Sequence, residues 1–193
     1  MNVLGISCFY HDAAAALYRD GVIVAAAEEE RFSRRKHDAG FPSLAARYCL
    51  EAGRVEPADL DYVVFYEKPL LKFSRMLTMA VETFPRGVVQ FSAAMPVWLR
   101  EKLWVPAVIR ERLGYRGELL YCEHHLSHAA SAFLVSPFEE AAILTADGIG
   151  EWASTTLGVG RGTSIELLRE LRFPHSLGLL YSAFTAWLGF EIN

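Results

Sequence analysis

Apolar residues open the chain in three short bursts separated by turn signals. "NVLGISC" is a short apolar strand, and "AAAALYRDGVIVAAAEEE" reads as two more strands joined at Asp20-Gly21, a dipeptide that tolerates the positive φ angles of a tight hairpin. Three antiparallel strands are therefore expected at the start. The segment "RFSRRKHDAGFP" that follows is charged and punctuated by Gly and Pro, so it reads as a loop. Ser43 is placed to cap the helix "LAARYCLEAG", and Gly53 to end it. "DYVVFYE" has the pattern of a buried strand. From Pro69 to about Leu113 the apolar positions recur at helical spacing, with breaks expected at Pro85, Pro96 and Pro106; an inserted helical layer with apolar and basic faces is predicted there.

The second half alternates again. "ELLYCE" reads as a strand, the histidine segment "CEHHLSHAASAF" as a helix, and "AAILTADG" and "STTLGVGRG" as a strand pair joined by a glycine turn. In "SIELLRELRF" the residues Ile165, Leu167, Leu171 and Phe173 alternate apart from one irregularity, which predicts a further strand. "SLGLLYSAFTAWLGF" closes as a helix. This order predicts an α/β fold with a mixed sheet and helices packed on it. The uncharged run Phe173 to Phe190 approaches membrane-spanning length, but its apolar part begins only near Leu177, which favours a core helix over a membrane span.

Composition narrows the function classes. With 193 residues, 52% hydrophobic and a net charge of −4, the chain can build a real core and carries no basic stripe, so neither nucleic acid nor membrane is an expected partner. Cys8, Cys49 and Cys122 are odd in number, far apart and without a CxxC spacing, which argues against a disulfide framework or a thiolate zinc site and fits a reducing cytoplasm. The N-terminus lacks the pattern of a signal peptide.

Four stretches could carry chemistry. His124 and His128 are four residues apart, so a helix places both imidazoles on one face, able to converge on an ion; histidine pairs of this kind also serve as hydrogen-bonded core or cap residues. His125 points elsewhere. Asp147, at the end of a strand and before Gly148 and Gly150, is a candidate third ligand that suits Fe(II), Mn(II) or Zn(II), or else an ordinary cap of a hairpin turn. The same turn has glycines that admit a phosphate to backbone amides, with Ser154, Thr155 and Thr156 as hydroxyl donors, although glycine hairpins are common without one. Near the start, His11 and Asp12 sit in the turn after the first strand, where His11 is either a general base tuned by its neighbour or an exposed turn residue. "EEERFSRRKH" is either a solvated face or a basic loop that grips phosphate.

Taken together, "VLGISCFYHDAAAALYRDGVIVAAAEEERFSRRKH", "CEHHLSHAASAF", "ILTADGIGEWASTTLG" and "HSLGLLYSAFTAWLGF" resemble the N-terminal domain of the carbamoyltransferases that act on nodulation factors and antibiotics. The resemblance implies an actin/sugar-kinase ATPase-like (ribonuclease H-like) half-fold. It implies that carbamoyl phosphate and ATP form a carbamoyl-adenylate, whose carbamoyl group passes to a hydroxyl of a small-molecule or sugar acceptor. Carried over, His124, His128 and Asp147 become ligands of Fe(II) or a similar divalent metal, His11 and Asp12 lie by the transferred group, and Lys36 with Gly148 and Gly150 contacts phosphate. It also implies that residues 1–193 are the N-terminal part of a longer catalytic domain, the helical region 69–113 being an insertion. On that view the remaining half, a further ligand and an adenylate-forming C-terminal domain are missing, and Trp187 and Phe190 are left exposed.

Two other readings stay open: a truncated or split nucleotide- or metabolite-binding subunit that needs a partner chain or forms a homodimer, and a sugar-kinase-like phosphotransferase. Against the kinase, the first strand reads "GIS" where such enzymes usually have an aspartate-glycine pair, and the histidine pair has no function in that chemistry.

Overall fold

The computed structural model describes residues 1–192 apart from Glu101. Contacts divide them into two compact units, one of residues 1–69 and 83–122, the other of residues 70–82 and the chain from Glu123 onward.

The first unit is built on a five-stranded mixed sheet of order β3-β2-β1-β4-β5. Its strands are β1 (Asn2–Ser7), β2 (Ala14–Arg19), β3 (Val22–Glu28), β4 (Tyr62–Phe65) and β5 (Glu118–Tyr121). The first three pair antiparallel, whereas β1, β4 and β5 run parallel. As the pattern predicts, β2 and β3 meet at Asp20 (φ 48°) and Gly21 (φ 92°), two positive φ values that match the strand twist. Helix α1 spans Glu30–Ser33 and α2 spans Ser43–Gly53. Leu4, Ile6, Leu17, Val63 and Phe65 of the sheet and Ala45, Ala46 and Cys49 of α2 are buried in one core, with Tyr115 closing it.

Several local expectations change here. The loop "RFSRRKHDAGFP" begins within α1. Ser43 makes no cap: the buried Glu29, 15 and 16 residues upstream of Leu44 and Ala45, accepts both of their amide protons at 2.8–3.1 Å. A carboxylate offers two oxygens to the orphan amides where a serine offers one, so it displaces the local cap. Gly53 is the last helical residue, and the left-handed residue after it is Arg54 (φ 51°).

The stretch 69–113 is helical: α3 (Pro69–Glu82), α4 (Val88–Arg100) and α5 (Val105–Leu113). It does not fall in one layer, since α3 groups with the second unit and α4 and α5 with the first. Pro85 separates α3 from α4 and Pro106 sits in the first turn of α5, but Pro96 lies inside α4 instead of ending it. Pro96 and Ser92, whose carbonyl loses its helical partner, are both exposed residues, where the lost bond costs less than in a core.

The second unit has its own antiparallel sheet, β6 (Glu140–Ala146), β7 (Ala153–Arg161) and β8 (Ser164–Arg172), with α6 (His124–Phe133) and α7 (Leu177–Trp187). The irregularity in the β8 pattern is a bulge: Leu157 pairs Arg169 and Gly158 pairs Leu167, which leaves Leu168 as the extra residue. Its core is small, with Ala129, Phe133 and Ile143 buried and Ala141, Ile165 and Leu167 packed on them. Helix α7 was expected in a core but has no buried residue; Trp187 and Phe190 are 79% and 69% exposed. Among the described residues no helix is long and apolar enough to cross a membrane.

Candidate metal centre

Helix α6 buries His125, Ala129 and Phe133, a stripe with the i, i+4, i+8 spacing of one helix face. His124 and His128 occupy the adjacent stripe and face the turn after β6. That turn is pinned at its base by the Asp147 amide donating to the Ser154 carbonyl at 3.0 Å. Its interior is crowded: a side chain at Gly150 would come within 2.8 Å of His124 Cδ2 and 3.2 Å of Asp147 Oδ2. From the other side, Ser176 donates to the carbonyls of Asp147 and Gly148 and caps α7 through the Leu179 amide. Gly178, in the first turn of α7, lies so close that any Cβ would strike the Asp147 carbonyl.

This packing brings three ligand atoms together. His124 Nε2 is 2.9 Å from Asp147 Oδ2, His128 Nε2 is 3.8 Å from the same oxygen, and the two Nε2 atoms are 3.1 Å apart. A divalent ion bound at about 2.1 Å holds cis ligands about 3.0–3.4 Å from one another; His124 stands near that spacing from both partners, and His128 and Asp147 need close by only about half an ångström. Protons alone satisfy the group poorly. One N–H on His124 can be aimed at Asp147 or at His128, not both. The second oxygen, Asp147 Oδ1, is buried and is met at a long 3.4 Å by His125 Nε2, whose better aligned partner is the Ala153 carbonyl. The donor set fits a divalent cation with two imidazoles and one carboxylate.

The electrostatics agree. Burial alone would raise the Asp147 pKa, yet hydrogen bonds from His124 and His125 and their charge outweigh it and hold the carboxyl well below the usual carboxylate range. Burial pulls the His128 imidazole below its ordinary value, as do His124 and His125, with Asp147 opposing. An ionised carboxylate and a neutral imidazole are the ligand-competent forms.

His125 is the anchor beneath the pair. It is 3% exposed, its Nε2 lies 3.0 Å from the Ala153 carbonyl, and its Nδ1 lies 2.6 Å from Thr145 Oγ1, itself 2.6 Å from Thr156 Oγ1. A carbonyl can only accept, so Nε2 carries a proton toward Ala153, while Nδ1 shares a hydrogen bond with the Thr145 hydroxyl, which shares another with Thr156. Three elements are thereby locked in register. The predicted phosphate role of the hydroxyls is not available to them, because Ser154, Thr155 and Thr156 are buried, with Ser154 bonded to the Leu171 and His175 carbonyls.

The remaining candidates lie in the first unit. His11 Nδ1 and His37 Nδ1 contact the two oxygens of Asp12 at 2.8 and 2.9 Å. Lys36 is exposed in the turn beside His37. Asp12, Glu30 and His37 also form a cluster within 4.8 Å, but Asp12 faces imidazole N–H groups and Glu30 accepts the His37 amide. Sequence reasoning had missed His37, 25 residues from Asp12, and no local spacing signals that contact.

Comparison with known proteins follows this geometry. The chain is 52% identical to the uncharacterized protein sll1178 of Synechocystis, covering all of this chain and 32% of that one. It is 36% identical to the nodulation protein NolNO of Sinorhizobium fredii, covering 94% and 26%. The chain thus spans about a third or less of these relatives' length. YeaZ from Pseudomonas aeruginosa aligns with a TM-score of 0.49 and 12% identity over 95% of this chain and 79% of that one. Residues 2–193 match the family model described as carbamoyltransferase N-terminus, and the chain belongs to that family.

Proposed function

We propose that the chain is the carbamoyl-transferring part of an O-carbamoyltransferase, which passes a carbamoyl group from carbamoyl phosphate, activated with ATP as carbamoyl-adenylate, to a hydroxyl of a small molecule or sugar. The observation that carries this reading is the convergence of His124, His128 and Asp147 within 2.9–3.8 Å in a chain of the carbamoyltransferase family. The order of the five-stranded sheet supports an actin/sugar-kinase-like half-fold, and the acidic balance supports a cytoplasmic enzyme of small substrates.

His124, His128 and Asp147 would hold Fe(II) or a similar divalent ion. When bound, such an ion supplies Lewis acidity toward a carbamoyl or phosphate oxygen. His125, through Thr145 and Thr156, fixes the direction of the ligand-bearing helix face. In the first unit Asp12 holds the His11 ring with Nδ1–H toward the carboxylate, which leaves Nε2 to take the proton of the acceptor hydroxyl. Lys36, exposed on its basic turn, binds phosphate, and Gly148 keeps the backbone beside Asp147 open to an anion; Gly150, also expected to contact phosphate, is buried against His124 and instead gives the ligand pair its room.

The test uses the protein as its gene encodes it, with isotopically labelled carbamoyl phosphate, ATP and hydroxyl probes (glycerol and monosaccharides). Label should enter a hydroxyl probe only when ATP is present, and His128→Ala should abolish transfer. Full transfer by that variant removes the metal assignment, and absence of any ATP-dependent transfer by the wild type removes the reaction.

A further inference from the structure

The loop after β1 and the loop after α1 are held face to face by an arrangement that the pairing of His11 with Asp12 does not explain. The Phe9 amide donates to the Ala39 carbonyl at 2.8 Å and the Ala13 amide to the Asp38 carbonyl at 2.7 Å. Within this clamp Asp12 (φ 48°) and His37 (φ 55°) both adopt left-handed backbone, which is uncommon and unfavourable for residues other than glycine. The His37 amide is held in that conformation by Glu30 Oε2 at 2.9 Å. What the two unfavourable conformations bring about is one contact, His37 Nδ1 to Asp12 Oδ1 at 2.9 Å, matching His11 Nδ1 to Asp12 Oδ2 at 2.8 Å.

Chemistry fixes the proton positions. The His37 hydrogen bond, opposed in part by burial and assisted by His11, keeps the Asp12 carboxyl below its ordinary range, so it is an acceptor only. Both imidazoles must then donate through Nδ1, and in their neutral forms both carry the free lone pair on Nε2. The two rings are accessible, with His11 61% and His37 54% exposed. One carboxylate therefore orients two proton acceptors, one on each oxygen, where a single acid–base pair needs only one.

We propose that His37 is a second proton acceptor for acyl transfer to hydroxyls, equivalent in kind to His11 and aligned with it by Asp12. This rests on the transferase reading above. In the step, the acceptor O–H bond breaks and its proton moves to Nε2 of either ring. The oxygen forms a bond to the carbamoyl carbon of the activated donor, and the bond from that carbon to the leaving phosphate oxygen breaks with its electron pair staying on that oxygen. The imidazolium keeps its Nδ1–H on Asp12 and returns the extra proton to water. Two bases on opposite oxygens of one carboxylate serve hydroxyls presented from two directions, which suits an enzyme whose acceptors differ in the position of the reacting hydroxyl.

Asparagine separates the roles, because its amide N–H can still donate to Asp12 while no atom replaces Nε2. With the full gene product, labelled carbamoyl phosphate, ATP and the hydroxyl probes already named, His37→Asn should lower transfer about tenfold or more to at least one probe. The double variant His11→Asn/His37→Asn should lose about 10²–10⁴-fold, the range of a general base. Thermal stability of His37→Asn should stay at the wild-type value. Independently of activity, nitrogen-15 spectra of the neutral rings should place the proton on Nδ1 in both, and Asp12→Ala should release both to the Nε2–H form. Wild-type transfer unaffected by His37→Asn for every probe, or an Nε2–H tautomer at His37, overturns this proposal alone. Absence of transfer by the wild type overturns the transferase reading and the base role with it, while the tautomer spectra still decide the pairing.

Discussion

Thr145 and Thr156 show how far a ligand set reaches beyond its ligands. Thr145 Oγ1 is the hydrogen-bond partner of His125 Nδ1, and both groups are buried. Thr145→Val keeps the shape and removes that partner, leaving a buried ring nitrogen unsatisfied at a cost of about 1–3 kcal/mol. Urea denaturation should show that loss, while Thr145→Ser should stay near wild type; a Val variant as stable as wild type would mean His125 is not fixed in this way. The pair His124 and His128 was legible because four residues make one helical turn, and Asp147 because it ends a strand before a glycine turn. His125 was read as pointing elsewhere, but its Nε2 also comes within 3.4 Å of Asp147 Oδ1, and its other partners stand on β6 and β7, 20 and 28 residues distant, where no local spacing reveals them.

At the scale of elements the most exposed expectation concerns the start of α2. Glu29 is 5% exposed and receives the Leu44 and Ala45 amides, whereas Ser43 makes no side-chain cap. Glu29→Ala should therefore cost about 1–2 kcal/mol, the range of a lost helix cap, and Ser43→Ala should cost almost nothing. Chemical denaturation of the two variants compares them directly, and a larger loss from Ser43→Ala would restore the local cap. Strand existence was read well because β1, β2, β4 and β6 carry apolar runs or a two-residue alternation, and the hairpin at Asp20-Gly21 announced itself by its turn chemistry. What was misread depends on solvent or on distant groups. Pro96 lies inside α4 on an exposed face, and α7 has an apolar composition but no buried residue, since composition does not say which neighbour covers a face.

The whole molecule has two cores of unequal size, and this sets where a metal would be felt. Among the described residues, seventeen buried apolar side chains, from Leu4 to Tyr115, form the first, against three in the second. Local opening free energy follows buried apolar contact, so amides of β1 and β4 should exchange with deuterium more slowly than those of β8 and α7. The candidate ligands His124, His128 and Asp147 all belong to the smaller unit, joined to its sheet by His125 and to the first turn of α7 by Ser176. An ion that binds only the folded form stabilises it by about 2.7 kcal/mol at a hundredfold excess over Kd. Because the unit it acts on is the weakly packed one, the added protection should concentrate in α6, the end of β6, the start of β7 and the first turn of α7, with β1 through β4 unchanged. Hydrogen exchange with and without Mn(II), read by mass spectrometry, measures this segment by segment. The same experiment on Asp147→Asn should show no metal-dependent protection; uniform slowing over both units, or an equal response from the variant, would place the ion elsewhere than on His124, His128 and Asp147.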